Sequence, residues 1–348
     1  MTRQTKPRGR WAPGVLWACV VLAVAGGAAS ATGGSGKSGA AAAGSEARLV
    51  SPSPYVWTRK LVGSFSASAS HSHNVPGIED GSAATIGLTV EGLVQLDVRR
   101  HQWLLELNSS QTFTKKVAVD HFVKSLDVFD LKALYFYLLR ESKRLSVGGG
   151  LQMTTPLFPS SLVPDKDTYL KLIRTDGEAM RGLARKNKRY HLMDAFSPLQ
   201  LKQLAGIRMQ PFGNEVTRVL FTGSLVALEV WADGWSSDDD KSTLAKEYYA
   251  LRDYQQVGAQ VNLVVTGEIK KHLSYSIGAE LMFPFWTSIK TLISGFDLLN
   301  LDLSFKITVQ LASWASLGYV LSAKRVPLLA DRWQVFNQLA LSFTAKFL

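Results

Sequence analysis

Cysteine is almost missing from this chain. The one residue of that type, Cys19, lies in an apolar run near the N-terminus, so the rest can form no disulfide and must hold together by packing and hydrogen bonding. Long hydrophobic runs are missing as well. Beyond the first thirty or so residues no stretch of 18 apolar side chains exists that could cross a bilayer as a helix. Charge is sparse, at 19% of 348 residues, and mean hydropathy is +0.04 despite an apolar content of 46%. That combination excludes a helical membrane protein. It fits either a soluble protein or a sheet whose oily and wet faces alternate and dilute every window.

Acidic residues are absent before Glu46, whereas Arg3, Lys6, Arg8 and Arg10 precede an apolar stretch from Val15 to Ala25 and a small-residue A-x-A site at Ala29, Ser30 and Ala31. This predicts a signal peptide over residues 1–31, with cleavage after Ala31 preferred and after Ala25 as the alternative. A lipobox at Leu16–Cys19 is disfavoured by the bulky Trp17. Removing those four charges from the net +11 leaves +7. Residues 32–54, rich in Gly, Ala and Ser, read as a flexible periplasmic leader.

What is present, from Tyr55 on, is a period of two. The clearest stretch is the last, Trp333–Leu348, where Trp333, Val335, Leu339, Leu341, Phe343 and Phe347 alternate with mainly polar residues. About twelve such segments follow one another: 55–70, 85–99, 103–117, 126–141, 144–155, 197–210, 216–231, 253–269, 273–285, 296–311, 314–324 and 333–348. In the seventh, apolar residues fall on both parities and the facing stays open. The odd-numbered connections are each longer than the even one that follows, as in an up-and-down barrel with tight turns at one rim and long loops at the other. The expected fold is therefore all-β, an up-and-down antiparallel transmembrane β-barrel of about 12 strands over residues 55–348. Closure is required because lipid offers no partner to an unpaired sheet edge. An even strand count puts both termini on one side, expected to be the periplasm of a cell with an outer membrane.

Three stretches, AFSPLQLKQLAGIRM (Ala195–Met209), RDYQQVGAQVNLVVTGEI (Arg252–Ile269) and NQLALSFTAKF (Asn337–Phe347), resemble an uncharacterised family of outer-membrane barrels common in the Bacteroidetes and relatives, a domain of unknown function. The resemblance covers most of the chain after Leu126. It implies an outer-membrane lipid environment and delivery by the barrel-insertion machinery, for which Phe343 and Phe347 form the terminal signal. It supplies no catalytic residue.

Nothing in the sequence builds an enzyme. The His-Ser-Asn constellation of the twelve-stranded outer-membrane phospholipase is missing, and His71 and His73 sit in a predicted first loop and read as polar loop residues rather than metal ligands. Asp238, Asp239 and Asp240 read as a solvated loop tip without calcium-loop spacing. The basic residues Lys171, Arg174, Arg181, Arg185, Lys186, Lys188 and Arg189 of the third loop read as a solvated surface, or one that meets lipopolysaccharide, and not as a nucleic-acid site. Gly148–Gly150 lies within a strand and lacks the Lys-Ser of a phosphate loop. No cofactor or metal is expected, and the sequence does not fix an oligomeric state. The candidates for function are charges on the polar faces: Glu91, Asp97, Glu106, Asp130, Lys132, Lys202, Arg208, Glu268, Glu280, Asp302 and Lys306. They either brace the lumen or line a narrow passive channel for small polar solutes. The alternative is a non-conducting barrel whose long loops bind a partner.

Overall fold

A computed structural model of the chain describes residues 55–72, 81–116, 119, 122–139, 144–214, 216–237, 245–269, 272–289, 295–328 and 330–346. The expected signal peptide and leader, His73, Asp238–Asp240 and Phe347 lie outside them.

The elements in chain order are β1 (Val56–Ser72), β2 (Gly81–Val98), β3 (His101–Lys116), β4 (Val123–Leu138), β5 (Leu145–Thr155), β6 (Ser160–Leu162), β7 (Thr168–Ile173), β8 (Ala179–Ala184) and β9 (Tyr190–Met193). They continue with β10 (Leu199–Gly213), β11 (Thr217–Trp231), β12 (Trp235–Ser237), β13 (Lys246–Ala250), β14 (Tyr254–Ile269), β15 (Leu273–Thr287), β16 (Asn300–Ala312), β17 (Ala315–Val326) and β18 (Ala330–Lys346). Twelve of them close a barrel in the order β1-β18-β17-β16-β15-β14-β11-β10-β5-β4-β3-β2. Every neighbouring pair is antiparallel, so this is an up-and-down barrel of twelve strands. The seam is the ladder from Val62↔Lys346 to Ala67↔Leu341, which sets Phe65 of β1 opposite Phe343 of β18.

Because side chains alternate in direction, each strand gives one row to the outside. That row is greasy: Phe65, Leu88, Leu105, Leu151, Ile207, Leu225, Val261, Ile277, Leu303 and Leu341 are all exposed. Aromatic residues gather at its two margins. Trp57, Trp103, Tyr135 and Trp314 stand toward the short turns, and Trp231, Phe285, Trp286 and Trp333 toward the long connections. Trp103 packs on Tyr135, and Trp314 stacks on Phe343 with centroids 5.9 Å apart.

Some expectations need correction. The connections 117–122 and 139–144 are equally long, because β4 stops at Leu138, where Leu138 N–H bonds Arg100 O and Leu139 N–H bonds Leu145 O. His71 belongs to β1 and not to a loop, since the ladder with β2 continues through His71↔Ser82. The tenth segment starts later than expected: Gly295–Leu298 forms a short 3-10 turn and β16 begins at Asn300.

The third and fourth long connections are not plain loops. They hold a four-stranded sheet, β12-β13-β7-β8, and a two-stranded sheet, β6-β9. Leu170, Ala184 and Tyr248 form a small core there, packed by Leu162, Leu172, Tyr190, Leu192 and Trp235. Lys171 Nζ bonds Glu247 Oε1 at 2.8 Å across the parallel β7–β13 pair. This contact raises the Lys171 pKa above the ordinary lysine range, chiefly through the hydrogen bond to Glu247. The basic cluster is spread over this cap: Lys171 lies in β7, Arg181 in β8, and Arg185 to Arg189 between β8 and β9.

Candidate functional site

The interior has two levels. Toward the short turns it is packed. Gln95, Gln102, Leu104, Phe136, Leu138, Ser146 and Arg208 are all buried there, the first two 1% exposed. Arg208 hydrogen-bonds Gln102 Oε1, and its guanidinium lies 3.8 Å from the centre of the Phe136 ring. Gln102 Nε2 and Gln95 Nε2 both donate to Asp97, at 2.9 and 2.6 Å. Phe136 can lie flat because its neighbour across the ladder is Gly148: a Cβ there would stand 2.8 Å from the Phe136 Cα and Cδ1 atoms. The large side chains come from β2–β4 and β10. Across the barrel, β14, β15 and β17 offer small ones: Thr266, Ser274, Ser276 and Ser316.

Toward the long connections the lumen widens into a cavity of about 1010 Å³. Five of the sequence candidates line it: Asp130, Lys132, Lys202, Glu280 and Asp302. Lys202 Nζ and Glu280 Oε1 meet at 2.5 Å although β11 and β14 separate their strands, so this pair reaches over the inner wall. Lys132 and Asp130 are 3.3 Å apart on one strand. Asp130 Oδ1 also accepts from Gln152 Nε2 and Thr154 Oγ1, both at 2.8 Å.

The other candidates stand elsewhere. Asp97 and Arg208 belong to the packed level. Glu106 lies between the levels, within electrostatic reach of Lys132, Asp130 and Arg208. Lys306 Nζ is 3.9 Å from Glu91 Oε1, a contact that spans from β16 to β2. Glu268 sits at the short-turn end of β14, opposite Ser274. Of the terminal pair, Phe343 is exposed on the outer wall and Phe347 is not described.

Several lumen residues escaped the sequence reading. Lys324 lines the cavity directly across the ladder from Asp302, and Lys124 with Asp127 lines its rim, 3.0 Å apart. Lys324 shares its parity with Ser316, Gly318 and Ser322, which was the available signal. The seventh segment, β11, now has a facing. Phe221, Leu225 and Trp231 are exposed outward, while Val226, Leu228 and Val230 point inward and are buried with Ala232, Tyr254 and Met282. Both its faces are apolar because Leu251 and Leu328 fold in against the inner one. Beside this patch Asn300 Nδ2 donates to Gln256 Oε1 at 2.9 Å. Tyr254 Oη, Gln256 Nε2 and Asn300 Oδ1 are buried with no hydrogen-bond partner among the described residues. No group of three or more metal-ligating side chains occurs among those residues.

No family model matches the chain, and no curated protein matches it significantly in sequence. Among solved structures, an outer-membrane channel from Pseudomonas putida F1 is similar at 12% identity over 88% of this chain and 100% of that one, with a TM-score of 0.41. The translocator domain of autotransporter NalP from Neisseria meningitidis gives 8% identity over 85% and 89%, TM-score 0.36. The outer-membrane channel DcaP of Acinetobacter baumannii gives 9% over 86% and 100%, TM-score 0.31. Values this low leave the functional reading to the chain's own geometry.

Proposed function

We propose that the chain is an outer-membrane β-barrel with both termini in the periplasm, acting as a narrow, gated passive channel for small polar solutes. The observation that carries the reading is the charged cavity of about 1010 Å³ inside a closed barrel whose outer wall is apolar. In water such a wall would drive aggregation; in lipid it is satisfied, and aromatic margins are what the two interfaces favour. The cavity is the vestibule and the Arg208–Phe136 level is the gate. Lipid and lipopolysaccharide are the expected surroundings, with the basic cap facing the latter, and the barrel-insertion machinery would read the end of β18.

The second reading, a non-conducting barrel whose loops bind a partner, is favoured by the same packed level and by the folded cap. Planar-bilayer recordings of the purified barrel separate the two. Discrete current steps at neutral pH are the expected result for a channel. Silence from the native chain and from an Arg208→Ala variant alike would leave the second reading.

A further inference from the structure

The cavity is divided. Its belt of opposite charges comprises the Lys202–Glu280 and Lys132–Asp130 pairs and the facing Asp302 and Lys324. One inward position closer to the mouth on the same strands the character changes: Met282 follows Glu280, Val326 follows Lys324, and Asn300 follows Asp302. Leu228, across the ladder from Lys202, and Leu251 complete an apolar patch there. At its border stands Asn300, which lines the cavity, is held by its Nδ2 donating to the buried Gln256 behind it, and has an Oδ1 that bonds no described residue. An amide at this border suits one peptide group of a bound solute.

We propose that this cavity binds a small zwitterion with an apolar side chain, of the chemical class of a dipeptide. Charge balance selects this class of solute. The belt carries three lysines and three carboxylates, with Lys202–Glu280 and Lys132–Asp130 already in contact, so a solute bearing one charge can displace a pair only by leaving one partly buried protein charge without its partner. A zwitterion brings two. Its carboxylate takes a lysine and its ammonium takes the released carboxylate, so the number of ion pairs does not fall. The apolar side chain then lies against Met282 and Leu228, and the peptide unit meets Asn300.

The proposal rests on reading the interior as a solute path, but its test needs no conduction. Calorimetric titration of the full barrel in detergent with leucyl-leucine should give binding at least tenfold tighter than with N-acetyl-leucyl-leucine, leucyl-leucine amide or glycyl-glycine. Lys202→Met combined with Glu280→Met should weaken leucyl-leucine at least tenfold, and the exchange Lys202→Glu with Glu280→Lys should restore it to within threefold. Equal binding of either blocked analogue overturns the proposal, as does full affinity in the double Met variant. Should that variant not fold, the analogue series on the native chain decides alone. Binding with silent bilayers would defeat the channel and leave the site; conduction without binding would do the reverse.

Discussion

Arg208 is the residue on which the interior turns. It is 7% exposed, hydrogen-bonded to Gln102 and stacked on Phe136, with Asp97 and Glu106 near enough to balance its charge. Arg suits this place because its planar guanidinium lies on a ring face while its edge still donates. Arg208→Ala should raise single-channel conductance several-fold in planar bilayers, and an unchanged conductance would mean that the gate lies elsewhere. Gly148 is the matching small residue. A Cβ there runs into the Tyr135 carbonyl oxygen and the Phe136 ring, so Gly148→Ala should cost about 1–3 kcal/mol in urea unfolding, as overpacking does. The sequence marked Arg208, Asp97 and Glu106 as inward charges but not Gln102 or Phe136. Phe136 interrupts the row of Asp130 and Lys132 along β4, and only the register shows that it fills the space that Gly148 leaves.

At the scale of the element, strands were legible and their accessories were not. All twelve barrel strands begin and end within a few residues of their period-two segments, because a strand between lipid and water must alternate along its whole length. The cap was missed for the opposite reason. Its strands β6 to β9, β12 and β13 are three to six residues long, too short for periodicity to stand out, and they are held by contacts between two connections far apart in sequence. Lys171 and Glu247 make that join. Lys171→Met leaves the Glu247 carboxylate, 3% exposed, without its lysine, so the cap should be cleaved by protease about tenfold faster while the barrel stays intact. Lys171→Met with Glu247→Leu should recover most of the resistance. The raised pKa of Lys171 fixes the sign of the pH effect: the contact is fully present below the ordinary lysine value of 10.5 and is lost as pH rises through the higher folded value. Fluorescence of Trp235, which packs against the cap core, should therefore stay constant from neutral pH to about 10 and change only above it.

For the whole molecule the governing fact is closure. The β1–β18 ladder spans only Val62–Ala67 on one strand and Leu341–Lys346 on the other, yet it removes both free edges from a sheet that lipid could not satisfy. Ser66→Cys with Ser342→Cys, residues directly opposed in that ladder, should form a disulfide on mild oxidation without loss of folded barrel. The most direct test concerns the two faces. Nitroxide labels placed one at a time from Leu301 to Val309 on β16, in the barrel reconstituted in lipid, report contact with oxygen dissolved in the bilayer or with a water-soluble nickel chelate. A period of two is predicted: oxygen contact at Leu301, Leu303, Phe305, Ile307 and Val309, and the reverse at Asp302, Ser304, Lys306 and Thr308. Labels that all report one environment, or that show no alternation, would contradict a barrel that is oily outside and wet within.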